Sequence, residues 1–260
     1  MAKVKEKAKV LSQEELAEGI YSLWLQAEKT AAFAKPGQFI SMYSSDASRL
    51  LPRPISLCEI EQETGRLRVV YRVAGAGTRE FSRYRPGESV DILGPLGNGF
   101  PLEEAEGKRV FLIGGGIGIP PMLETAKQLK GRADIQSILG YRDSQMFLFS
   151  EFEACGPAAA ATEDGSAGTK GNVLDAIREN GLEGDILFAC GPTPMLRALK
   201  AYAAEQQMEC FISLEERMAC GIGACLACVC QSKDIDEHSH VRNKRICKEG
   251  PVFRAEEVEL

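Results

Sequence analysis

The stretch Phe111-Leu-Ile-Gly-Gly-Gly-Ile-Gly-Ile-Pro-Pro-Met122 sets an apolar run against a glycine cluster and then a proline pair. The apolar run predicts a buried strand, and the prolines predict the first turn of a helix, where a missing N–H costs nothing. Glycines between the two let the backbone approach a phosphate, and the helix start offers free amide donors with a partial positive charge. A dinucleotide pyrophosphate therefore has a place at Gly114, Gly115, Gly116 and Gly118. The run departs from G-x-G-x-x-G with an acidic residue about twenty positions later, so it is not the ordinary dinucleotide fingerprint. Taken alone, it is explained equally well by a tight structural turn.

Working outward, the same rhythm recurs. Apolar strands at 109–114, 135–140 and 185–190 alternate with helical stretches at 122–129, 173–178 and 194–205, which predicts βαβ units around a parallel sheet. Cys190-Gly191-Pro192 repeats the strand-to-helix theme, at the carboxyl edge where such sheets bind ligands. Cys190 either faces a nicotinamide there or packs. The alanine run 157–161 and the polar residues after it predict a loop. Before Pro101 the pattern is different: short β-branched or aromatic stretches at 20–25, 38–43, 67–73 and 89–93, two of them preceded by Pro-Gly, predict a small antiparallel barrel. Within it, Arg53-Pro54-Ile55-Ser56 and Gly75-Ala76-Gly77-Thr78 combine a bidentate cation, hydroxyls and glycine amides, and Tyr71 offers a flat ring for stacking.

Five of the nine cysteines fall between Cys220 and Cys247. Cys220, Cys225 and Cys228 form C-x₄-C-x₂-C, the local spacing by which plant-type [2Fe-2S] proteins hold a cluster. The intervening residues are Gly, Ile, Gly, Ala, Leu and Ala, small enough for backbone amides to approach the sulfurs. Cys230 and Cys247 are both available as a fourth ligand; Cys247 is favoured because Cys230 lies only two residues from Cys228. A zinc site usually takes paired C-x₂-C modules, and one such pair is present. His238 and His240 sit in a polar stretch and make a weak zinc alternative.

With 260 residues, a net charge of −6 and basic residues spread along the chain, nucleic acid is an unsuited partner. No apolar run approaches the ~20 residues that span a bilayer. A charged start without an apolar leader, and many cysteines without a disulfide-rich context, predict a cytoplasmic protein with no membrane attachment. The whole predicts an α+β multidomain chain: an antiparallel β-barrel over 1–101, a parallel-sheet α/β domain over 102–209 and a small cysteine-held domain over 210–260.

In this order, Arg53-Pro-Ile-Ser, Gly77-Thr78, Gly94-Pro-Leu-Gly-Asn-Gly-Phe, Gly114-Gly-Gly-Ile-Gly and Cys190-Gly-Pro resemble the ferredoxin-NADP-reductase superfamily. More narrowly, Glu216-Arg-Met-Ala-Cys-Gly-Ile-Gly-Ala-Cys-Leu-Ala-Cys with Cys247-Lys-Glu-Gly-Pro-Val-Phe is similar to the electron-transfer subunits of NAD-dependent dihydroorotate dehydrogenases, over essentially the whole chain. That resemblance implies FAD held by Arg53, Pro54, Ile55 and Ser56, by Val70, Tyr71 and Arg72, and by Gly77 and Thr78. It implies a [2Fe-2S] cluster on Cys220, Cys225, Cys228 and Cys247. It further implies NAD as co-substrate, a catalytic partner chain containing FMN, and a heterotetramer of two plus two chains. Family members commonly carry Asp where Glu249 stands. No separate constellation for proton abstraction from dihydroorotate is evident, so no catalytic residue is assigned to this chain. The alternative is a flavin reductase subunit of hydrogenase or transhydrogenase type. The residues leave NAD against NADP open: Arg142 suits a 2′-phosphate and Asp143 repels one.

Overall fold

The computed structural model describes residues 3–235 and 240–260. The first lobe is a closed barrel of strands β1 (Val4–Ala17), β2 (Ile20–Gln26), β3 (Phe39–Met42), β4 (Arg53–Glu61), β5 (Arg66–Arg72) and β6 (Ser89–Leu96), in the order β1-β2-β5-β4-β3-β6. Short helices α1 (Glu28–Ala31) and α2 (Ala76–Phe81) fill its connections. The Pro-Gly signals are turns: Gly37 and Gly87 have φ of +83° and +96°, the left-handed region that glycine enters without strain. Side chains alternate across each strand. Leu67, Val69 and Tyr71 point into the barrel, whereas Val70 joins the core shared with the next lobe.

The second lobe begins with β7 (Arg109–Gly115), α3 (Pro120–Leu129), β8 (Asp134–Tyr141), α4 (Phe149–Glu153), β9 (Ala158–Thr162) and β10 (Thr169–Lys170). It continues through α5 (Val173–Glu179), β11 (Ile186–Cys190), α6 (Thr193–Glu205) and β12 (Glu209–Ser213). A hairpin of β13 (Val229–Gln231) and β14 (Asn243–Arg245) follows, and β15 (Val252–Arg254) is the last strand. The sheet order is β10-β9-β8-β7-β11-β12-β15, parallel except for β15, which runs antiparallel to β12. From β7 the chain winds outward to β10, then crosses to the other side of β7 for β11. The ends of β7 and β11 are therefore the switch point of the sheet, where the connecting loops diverge and leave a crevice.

One expectation is corrected. The alanine run is a strand and not a loop: Ala158 to Thr162 pair in register with Ser137 to Tyr141 of β8. Ala159 pairs with the buried Ile138 and Ala160 with Leu139, so pairing supplies what an alanine run lacks in intrinsic strand preference. The division at 209/210 falls inside β12. Between β12 and β15 the described residues leave the sheet for the cysteine loop and the β13–β14 hairpin, and the sheet takes the chain back at β15.

The barrel and the sheet lobe meet along a buried polar seam. Arg68 of β5 is almost wholly buried; its Nε donates to Ser22 Oγ at 2.8 Å and its Nη1 donates to Glu59 and, at 2.7 Å, to Glu151 of α4. Lys127 of α3 completes the pairing of Glu59, and Glu124 Oε2 accepts the Ile60 amide at 2.9 Å. Buried ion networks add little net stability, but each charge needs its partners, so they fix one relative placement of the elements that bear them. Here they fix α3 against β4. Among the described residues, no helix is long and apolar enough to cross a membrane.

Candidate functional site

The candidate flavin face is built from the mouth of the barrel. Arg53, Pro54, Ile55 and Ser56 are all half-buried on β4. Gly77, at the start of α2, lies directly beneath the Arg53 side chain: a Cβ there would stand 2.5 Å from Arg53 Nε. Thr78 Oγ1 accepts the amides of Ala74 and Gly75 at 2.9 and 3.1 Å, fixing the turn before the helix. Arg53 and the Gly77 amide region thus converge with fixed geometry. Tyr71 differs from what its sequence suggested. Its ring lies inside the barrel, 6.2 Å from the Tyr21 ring and 6.3 Å from Phe81, and its hydroxyl donates to Gln13 Oε1 at 3.1 Å. Burial pushes that hydroxyl's pKa well above the ordinary phenol range. What Tyr71 offers a flat ligand is its backbone, between the outward Val70 and Arg72.

Arg72 leads to the second feature, a cleft of about 560 Å³ between the barrel and the switch point of the sheet. Its walls include Arg72, Gly115, Gly116, Tyr141, Arg142 and Pro192. Of the glycine-rich turns, Gly115, Gly116 and Pro192 line the cleft, whereas the buried Gly114, Gly118 and Cys190 and the half-buried Gly191 do not. Gly118 sits where two loops touch: a Cβ on it would stand 2.4 Å from the Cys190 carbonyl oxygen. Cys190 itself is fully buried, and burial pushes its thiol far above the ordinary range, so it is a neutral packing residue. Sequence reasoning missed Tyr141, Glu163, Asn172 and Met195, all of which line the cleft. Tyr141 ends β8, Glu163 follows β9, Asn172 caps α5 and Met195 lies in the first turn of α6, so the order of the strands alone brings them together. Asp143 does not line it; its carboxylate accepts the Gln145 amide at 2.9 Å.

The third feature is the cysteine loop. Cys228 and Cys247 are buried and Cys220 and Cys225 half-buried. The Cys220 sulfur accepts amides from Ile222, Ala224 and Cys225 at 3.4, 3.3 and 3.4 Å, and the Cys247 sulfur accepts the Gly223 amide at 3.1 Å. Burial works against a thiolate at Cys220, but these amides and the Cys225 thiol outweigh it and lower the pKa to about 6. Cys228 and Cys247 share a hydrogen bond, so the pair loses its first proton easily, Cys228 falling to about 6, and holds its second tightly. Cys230 turns away into the β13–β14 hairpin, where its thiol donates to the Lys244 carbonyl, and burial raises its pKa. Among the described residues, no three His, Cys, Asp or Glu side chains converge on a single ion. Two thiol pairs with amides aimed at sulfur suit a two-iron cluster better than one tetrahedral zinc. Of the two histidines, His238 lies outside the described residues. The loop is held from below by Arg245, whose Nη1 donates to the Gly223 carbonyl at 3.1 Å and whose Nη2 donates to Glu249 at 2.6 Å.

The cysteine loop is also sewn to the barrel. The Asn98 amide donates to the Gly250 carbonyl at 2.6 Å, and its side chain donates to the Glu249 carbonyl at 2.9 Å. Phe39 and Leu96 of the barrel share a core with Cys228 and Cys247.

Comparison with known proteins agrees with this arrangement. Residues 215–259 match the family described as the iron-sulfur cluster binding domain of dihydroorotate dehydrogenase B. The electron transfer subunit of dihydroorotate dehydrogenase B (NAD+) from Bacillus caldolyticus is 46% identical over 260 residues, covering 98% of this chain and 99% of the relative. That of Bacillus cereus (strain 03BB102) is 44% identical over 256 residues, covering 96% and 97%. Among solved structures, the NADH-dependent reduced ferredoxin-NADP oxidoreductase superposes with a TM-score of 0.86 at 31% identity, over 97% of this chain and 89% of that one. A ferredoxin NADP+ reductase from Neisseria gonorrhoeae, solved with FAD and NADP, shares the fold at a TM-score of 0.65 and 16% identity, over 82% and 94%. Barrel, switch-point cleft and cysteine loop therefore occur here in the setting of a known lineage, and the chain belongs to the family of dihydroorotate dehydrogenase B (NAD+) electron transfer subunits.

Proposed function

We propose that this chain carries electrons from a dihydroorotate-oxidising partner to NAD+, as the electron-transfer subunit of an NAD-dependent dihydroorotate dehydrogenase in pyrimidine (UMP) biosynthesis. The observation that carries this is the seating of a four-thiol loop on a barrel whose opposite rim opens into the switch-point cleft. FAD exchanges two electrons with a nicotinamide and single electrons with an iron-sulfur cluster, so it joins the two kinds of carrier.

Arg53 to Ser56, Val70 to Arg72, and Gly77 with Thr78 hold FAD, Tyr71 through its backbone. Cys220, Cys225, Cys228 and Cys247 hold the [2Fe-2S] cluster, with the thiols of Cys220 and Cys228 lowered toward the thiolate by the hydrogen bonds they accept. NAD enters the cleft along Gly115, Gly116 and Pro192, with Gly114, Gly118, Cys190 and Gly191 shaping the wall behind it. Arg72 borders both the flavin face and the cleft. Glu163, beside Arg142 at the ends of β8 and β9, suits ribose hydroxyls and opposes a 2′-phosphate, which favours NAD over NADP. Oxidation of dihydroorotate resides on an FMN-containing partner, in an assembly of two catalytic and two electron-transfer chains in the cytoplasm. A reductase with a different partner, of the kind the 31% identical structure represents, is the other reading; the 46% identity and the match over 215–259 favour the dihydroorotate system.

The test is the cofactor content of the purified chain. Iron and acid-labile sulfide are expected in equal amounts, each twice the FAD, with flavin bands and a reduced-cluster EPR signal. A colourless protein that reconstitutes with neither would contradict the proposal.

A further inference from the structure

Strand β3 sends Ile40 and Met42 into the barrel and Phe39 to the outer core, so alternation puts Ser41 on the outer side as well. Ser41 has no solvent exposure, and its hydroxyl has no hydrogen-bond partner among the described residues. A buried hydroxyl left without a partner costs free energy, and each such group in a folded protein calls for an explanation. Two other hydroxyls share this condition, Thr125 in α3 and Ser137 in β8. Ser41 is distinguished by what lies against it. A Cβ built on Gly221 would stand 3.0 Å from Ser41 Oγ, and Gly221 directly follows Cys220 in the cysteine loop. In the β3–β4 ladder, Ser41 stands opposite Pro54, within the segment proposed to hold FAD. The hydroxyl therefore occupies the seam between the cysteine loop and the flavin face.

We infer that the Ser41 hydroxyl donates a hydrogen bond to a sulfur of the loaded cluster and holds its reduction potential up. This rests on the reading that the four cysteines hold a [2Fe-2S] cluster. The amides of Ile222, Gly223, Ala224 and Cys225 already serve Cys220 and Cys247 from within the loop. Ser41 adds a donor from the other lobe. Reduction puts negative charge on the sulfurs, so a donor aimed at them favours the reduced form. Because Ser41 belongs to the barrel, the potential then depends on the loop being seated against the flavin lobe.

The test is an EPR-monitored potentiometric titration of the full-length Ser41→Ala protein. The reduced-cluster spin count per chain and the flavin potential should be unchanged, and the cluster midpoint more negative. A tenfold less favourable one-electron reduction is expected, about 59 mV. An unshifted midpoint at full spin count would overturn the inference. Should the alanine variant fail to assemble a cluster, unmodified protein made by cell-free synthesis with serine deuterated at Cβ and unlabelled cysteine serves instead: pulsed EPR of the reduced cluster should show a deuteron coupling, and its absence would overturn the inference. A wild-type chain with no reduced-cluster signal at all would fall on the assignment of the four cysteines, so the two failures remain distinct.

Discussion

Cys225→Ser is expected to abolish partner-driven NAD+ reduction while leaving NADH oxidation by an artificial acceptor near its wild-type rate. Iron-sulfur clusters select soft thiolate ligands, and a serine hydroxyl is a hard oxygen donor, so the cluster would lose one of its four proposed sulfur ligands. Changes to groups that merely support a metal ligand cost about 10–100-fold; loss of a ligand should exceed that, giving at least about a hundredfold fall in the coupled rate. The flavin face would be spared. Arg53, Gly77 and Thr78 lie on β4 and α2, and the loop's attachments to the barrel run through Asn98 and the 248–251 backbone, which the substitution does not touch. Stopped-flow NADH oxidation with ferricyanide, beside the coupled assay, separates the two activities. Loss of both would place the cluster between NAD and FAD and contradict the order proposed here.

Gly118→Ala should give the opposite pattern. The added Cβ would stand 2.4 Å from the Cys190 carbonyl oxygen and 2.6 Å from the Gly191 amide nitrogen. Both are backbone atoms, so no side-chain rotation relieves the clash. The two loops that form the cleft wall must part, and a displacement of about 1 Å in a positioning element can cost about 10²-fold. The expected result is a roughly hundredfold lower kcat/KM for NADH with any acceptor, FAD and cluster absorbance being retained. Wild-type kinetics in a correctly loaded variant would mean that NAD does not use this crevice.

The strongest sequence signals were those whose chemistry is local. C-x₄-C-x₂-C specifies its own loop, and the glycine-proline run carries strand, turn and helix start within a dozen residues. Signals that depend on distant partners were weak or silent. Strand β1 alternates lysine and glutamate with few apolar residues, because much of its length faces solvent, and only Ala8 and Val10 are fully buried. Strand β4 opens with Arg-Pro, and its strand character comes from pairing with β3 and β5. The alanine strand and the return of β15 to the sheet owe their existence to neighbours far along the chain. Within the site, Tyr71 faces inward because β5 alternates across a barrel wall whose inner side the sequence does not mark. Glu163 and Ser41 have no motif around them; strand order and loop seating give them their places.

The central claim is that this chain connects dihydroorotate oxidation on another chain to NAD+. The most direct measurement is to co-express it with a candidate FMN-containing dihydroorotate dehydrogenase chain and follow NADH formation by its absorbance on adding dihydroorotate and NAD+. NADH formation that requires both chains is the expected result. A complex in which this chain carries FAD and a reducible cluster, yet forms no NADH from dihydroorotate, would contradict the claim.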